Sequence, residues 1–224
     1  MTYIVSPAST DNYNFMIAQP MQPVLTNNDM SWLERTLARP GWEPDNERAL
    51  LFSKLFMAFV MSKPGVDYFH RTFDGHTYQK PEFDLAKELA KKALTNPLVK
   101  NMVQLHDRQK VKESVLECEH NGFKFSVRGR CNYGLWLESL NWGGYLKPTS
   151  ATTLDQFIKE VLYLNYDRRA AFYMDITGSK CYMLVGVSKK NKQLFHFPFE
   201  RGCDYYNSGR DKYMELAFKH MILF

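Results

Sequence analysis

Four cations stand nearest to any chemistry this chain could perform. Lys147, Arg130, Arg168 and Arg169 fall in one region of the sequence, and together they could form a patch that contacts phosphates. Arg128 and Arg130 are two apart in an alternating run, so a strand would put both on one face. The acids Glu113, Glu117, Glu119 and Glu138 lie nearby. Metal-assisted phosphodiester hydrolysis needs such hard oxygen ligands to hold Mg²⁺, which acidifies a water and neutralises charge on the scissile phosphate. Other reaction classes lack their residues. The sequence has no G-x-S-x-G, P-loop, H-E-x-x-H or Gly-rich dinucleotide loop. Its six histidines show no metal spacing, and its four cysteines at 118, 131, 181 and 203 form no CxxC pair or zinc knuckle.

The elements that would position these residues are legible from periodicity. Glu113–Cys118, a turn at His120-Asn121-Gly122, and Phe123–Gly129 read as a hairpin. Cys131–Leu137 reads as a continuation of that meander, and Gly143–Lys147 as a short central strand. Thr152-Thr153 can cap a helix over Leu154–Leu162, and Tyr166–Met174 reads as the next helix. Cys181–Ser188 and Gln193–Phe199 flank the turn Lys189–Lys192 as a second hairpin. Before the strands, helices are expected over Trp32–Leu37, from Asp45-Asn46-Glu47 to Met61, over Asp84–Leu94, and from Pro97 to about Lys110, with a loop or short hairpin at 66–81. A last helix should start near Asp204 or Ser208 and run towards His220. Lys87, Lys91, Lys92 and Lys100 form a loose basic helix face, read as solvated surface. The aromatics Phe195, Phe197, Phe199, Tyr205 and Tyr206 read as core and edge packing.

One ordered set ties these parts together: a strand ending Arg130-Cys131-Asn132, a strand carrying Tyr145-Leu146-Lys147-Pro148-Thr149, a helix, then Tyr166-Asp167-Arg168-Arg169-Ala170-Ala171-Phe172-Tyr173. This order resembles the core of the PD-(D/E)XK nucleases, particularly their RecE-like exonuclease branch, with a degenerate active site. The resemblance implies an α/β fold with a mixed central sheet flanked by helices. It covers about residues 110–200 well and the earlier residues only in kind. Under it, Asn132 stands in the place of the first metal-binding carboxylate and Tyr145 in that of the second, while Lys147 retains the family lysine. Glu113 best matches an upstream acid, Arg169 takes the place of a helix Gln, and Tyr166 and Tyr173 fit the surrounding pattern. A neutral amide and a phenol are poor substitutes for two carboxylates at pH 7.

The expectation is therefore a nuclease-like protein without nuclease chemistry, binding DNA or a partner in DNA recombination or defence, of phage or mobile-element type. Lys147, Arg130, Arg168, Arg169 and Tyr166 would make the nucleic-acid contacts. No cofactor is expected. The alternatives are an active exonuclease holding Mg²⁺ or Mn²⁺ through relocated acids, and a protein-interaction scaffold. The 224 residues are taken as one nuclease-like domain: an irregular wrap at 1–44, helices at 45–110, the sheet core with two helices at 111–200, and a terminal helix at 204–220. The composition, 45% hydrophobic with a net charge of +5, excludes a disordered chain and permits nucleic-acid binding without requiring it. Unpaired cysteine spacing, no signal-like N-terminus and no long apolar run point to a reduced, cytoplasmic protein away from membranes. Nothing in the sequence specifies an oligomeric state.

Overall fold

A computed structural model describes residues 24–38, 47–104, 111–132, 135–137 and 140–224. The expectations for 1–23, for a helix start at Asp45-Asn46, for a helix end near Lys110 and for Glu138 lie outside the described residues. The elements run β1 (Val24–Thr26), α1 (Asn27–Ala38), α2 (Glu47–Val60), β2 (Thr72–Phe73), β3 (His76–Thr77), α3 (Lys80–Leu94), α4 (Pro97–Gln104), β4 (Val111–His120) and β5 (Phe123–Asn132). They continue with β6 (Leu135–Leu137), β7 (Trp142–Thr149), α5 (Leu154–Tyr163), α6 (Tyr166–Thr177), β8 (Cys181–Ser188), β9 (Leu194–Glu200) and α7 (Asp204–Leu223). No described helix is long and apolar enough to cross a membrane.

Local chemistry accounts for the boundaries. Pro81 and Glu82 open α3 and Lys91-Lys92 close it, matching the helix dipole. Thr153 caps α5 by accepting from the Gln156 amide, while the Gln156 side chain reaches back to the Thr152 amide at 2.8 Å. Asn165, at φ 54°, turns the chain sharply from α5 into α6, and Gly178 at φ 72° ends α6 in the left-handed conformation.

β7 and β8 run parallel, joined by α5 and α6, with β6 and β9 antiparallel on either side, so the sheet order is β6-β7-β8-β9. This matches the expected mixed α/β architecture. The expected meander from β5 into β6 is corrected. β4 and β5 instead form a second sheet with β1, in the order β1-β5-β4 with β1 parallel to β5. Helix α6 explains the division. Its residues from Asp167 to Ile176 are almost all buried, because both sheets pack on it. The small residue Gly129 lets β5 approach, since a Cβ there would sit 3.0 Å from the Ile176 side chain. The other face of the four-stranded sheet carries Leu146, Met183, Val185 and Val187 against α2, α3 and α4. At the far end Asp175 of α6 accepts from Arg201, Arg210, Tyr206 and Tyr213, tying α7 and the turn after β9 to the helix.

Candidate functional site

Alternation along β7 puts Tyr145, Lys147 and Thr149 on the face that looks at α5 and α6. On the neighbouring β8, Tyr182 and Leu184 share that face, with Leu184 opposite Tyr145. Tyr166, Arg169 and Tyr173 recur along α6 at helical spacing and meet these strand residues from above.

The result is a column of alternating charge and ring. The Lys147 ammonium lies 4.3 Å from the centre of the Tyr166 ring. Tyr166 stacks on Tyr145 at 5.6 Å and 26°. The Arg169 guanidinium then covers Tyr145 at 3.9 Å and reaches Tyr173 at 5.2 Å. Desolvated cation–π contacts of this kind contribute about 2 kcal/mol each. Lys147 is only 6% exposed, and its charge is balanced by Glu160 of α5, whose Oε1 lies 2.7 Å from Nζ. The Thr149 hydroxyl donates to the other Glu160 oxygen.

Burial raises the pKa of the Tyr166, Tyr173 and Tyr182 phenols above the ordinary tyrosine value. Burial also works against charge on Arg169, but the oxygens of Tyr182, Tyr173, Tyr145 and Tyr166 outweigh it and hold the guanidinium firmly charged. The Arg169 Nε is enclosed without a hydrogen-bond partner among the described residues, so aromatic faces supply much of its environment. Burial pushes the nearby Cys131 thiol up to about 11, which keeps it protonated and inert at neutral pH.

Of the expected site residues, Lys147, Tyr145, Tyr166 and Arg169 come together. The rest do not join them. Glu113 pairs with Arg128 at 2.6 Å and with Arg130 at 3.6 Å, across β4 and β5. These three residues occupy the face of that sheet opposite to Leu116, Val127 and Cys131, which pack on α6, and so point away from Lys147. Arg168 is 3% exposed and bonds Glu34 and Ser31 of α1, both at 2.7 Å. The expected phosphate patch of Lys147, Arg130, Arg168 and Arg169 is thus corrected. Two members are buried in internal pairs and a third lies on another sheet face. Asn132 ends β5 opposite Val111, and its side chain lies outside the described residues.

Sequence reasoning missed Glu160. Its signal was its place three residues after the buried Phe157, on the shoulder of the apolar stripe of α5. Among the described residues the site offers fewer hard oxygen donors than the Mg²⁺ or Mn²⁺ of metal-dependent nucleases calls for. Among the described residues no group of three or more His, Cys, Asp or Glu side chains could hold a metal. Glu160, the one carboxylate at the site among the described residues, is engaged by Lys147 and Thr149, and the Arg169 cation covers the neighbouring ring.

No family model matches the chain, and no curated protein matches it. Among solved structures, the chain is similar to a "putative exonuclease" from Eubacterium rectale, at 17% identity and a TM-score of 0.51, over 84% of this chain and 71% of that one. A phage related exonuclease from Haemophilus somnus is also similar, at 14% identity and a TM-score of 0.38, over 86% of this chain and 92% of that one. By the first of these likenesses and by the mixed α/β topology, the chain has a nuclease-like fold.

Proposed function

We propose that this chain is a single-domain, RecE-like member of the PD-(D/E)XK nucleases that no longer hydrolyses phosphodiesters and acts by binding DNA in recombination or defence. One observation carries the proposal. The Arg169 guanidinium lies 3.9 Å over the ring of Tyr145, the residue that stands where the resemblance puts the second metal-binding acid. A fixed cation and a neutral phenol at that place oppose a divalent ion twice, through repulsion and through the lack of an anionic oxygen. Lys147, which would orient a water in an active enzyme, is instead committed to Glu160. The column then serves as an internal tie between β7 and α6. The net charge of +5 supports the binding half of the reading.

A second reading rests on Glu160. An acid 2.7 Å from Lys147 is a candidate relocated ligand that the strand motifs did not reveal. The two readings separate in one assay. Linear double- and single-stranded DNA incubated with the protein and Mg²⁺ or Mn²⁺ should stay intact, and a salt-sensitive gel shift should appear in the same samples. Divalent-dependent degradation that disappears in Glu160→Gln and Lys147→Ala would overturn the proposal in favour of the second reading.

A further inference from the structure

With Lys147 and Arg168 buried, a nucleic acid needs another cationic surface, and the fold has one on the opposite side of the sheet edge. A cleft of about 820 Å³ opens between the α3–α4 corner, the β8–β9 hairpin and the start of α5. Lys92, in the last turn of α3, and Lys192 of the hairpin both line it. Among the described residues no carboxylate lines the cleft. Glu88 at the rim holds Lys192 through a pair in which both side chains are about half exposed, a contact that competes weakly with a phosphate. Lys91, Lys100 and Lys190 are exposed in the same elements and extend the positive surface beyond the cleft.

The rest of the lining differs in character. Asn96, Asn191 and Gln193 line it with amides partly engaged in local hydrogen bonds, and Leu194 adds apolar surface beside the buried Phe195. Cations together with amides and apolar surface suit a ligand that carries phosphates and flat polar bases. The volume lies within the range of about 300–1,000 Å³ typical of small-ligand clefts. A volume of about 820 Å³ admits a few unpaired nucleotides and is too small to enclose a duplex.

We propose that this cleft binds the backbone of single-stranded nucleic acid, with Lys92 and Lys192 on the phosphates; the assignment rests on the DNA-binding reading above. The expected phosphate-contact residues are thereby moved from the β7–α6 column to the α3–α4 corner. The geometry also gives the basic helix face read as solvent surface a ligand. Lys87, one turn and more before Lys92, lies outside it, over the Tyr68 ring at 5.2 Å.

The test is fluorescence anisotropy with a labelled short oligothymidylate and with a labelled duplex of equal length, across a salt series. The wild type should bind the single strand more tightly. Lys92→Glu with Lys192→Glu should weaken binding at least tenfold. The neutral pair Lys92→Gln with Lys192→Gln should lower the slope of log affinity against log salt by about 1.4, at about 0.7 per phosphate contact. Lys63→Glu, an exposed lysine in the turn after α2, should change little. Retained binding in both double variants would overturn the cleft while leaving the DNA-binding reading in place. Binding of the duplex as tight as that of the single strand would overturn the strand assignment. No binding by the wild type to either probe would overturn both proposals together.

Discussion

Glu160 decides whether Lys147 can be held in the interior at all. An ammonium 6% exposed has little water to turn to, whereas Glu160, about a quarter exposed, can rehydrate. The two halves of the pair are therefore unequal. Glu160→Gln should cost about 2–3 kcal/mol in urea denaturation. Lys147→Met alone should cost less, and the double variant should recover most of the loss, giving a clear coupling energy in the cycle. The buried phenols make a second prediction. Tyr166, Tyr173, Tyr182, Tyr206 and Tyr213 all have raised native pKa values, with Tyr206 pushed up to about 12 by burial and by Asp175. In the unfolded chain these groups lose protons near pH 10. Their stabilisation is thus fully present below pH 10 and is lost as pH rises towards and beyond 12. Alkaline titration followed by phenolate absorbance and circular dichroism should show much of the ionisation arriving with unfolding, not before it. The residues of the column were readable in the sequence because they lie in short strand and helix motifs. Glu160 was not, because the contact depends on how α5 crosses over β7.

Helix α6 is the element on which the architecture turns. Its closest neighbour is α7, and Gly209 is the point of approach, where an added Cβ would meet the Asp167 carbonyl oxygen at 2.3 Å. Backbone cannot move aside as a flexible side chain can. Gly209→Ala should push α7 off α6, costing about 1–3 kcal/mol and lowering the melting temperature by several degrees in a calorimetric scan. Most elements were legible as elements. Alternation gave β4, β5, β8 and β9, and cap residues gave α5. Strand partners were less legible, since a period of two tells which side of a strand is buried and nothing about its neighbour. The run from Cys131 to Leu137 therefore read as one continuous meander, when its two halves belong to different sheets. β1, at three residues, is too short for any period to declare itself.

At the scale of the whole molecule, a shared fold does not carry a shared chemistry with it. A nuclease-like frame here carries a buried column in which Lys147 and Arg169 lie against Tyr166, Tyr145 and Tyr173. The excess of five positive charges is distributed unevenly, with several cations consumed by internal pairs. Lys91 and Lys92 of α3 and Lys190 of the β8–β9 hairpin remain exposed, so the oligonucleotide assay above tests that surface. The net charge was legible from composition. Its distribution was not, because pairing across long separations, such as Lys192 with Glu88, is invisible along the chain.

The long reach from α1 to α6 has a consequence during synthesis. Glu34 and Arg168 are separated by 134 residues, and β1 waits for β5 in the same way. At ribosomal speeds of about 5–20 residues per second, Glu34 leaves the peptidyl-transferase centre roughly 7–27 s before its partner is even polymerised. Through that interval Leu25, Met30 and Leu33 have no native core to enter. The first described elements of the chain therefore stay without these native partners until α6 has been made.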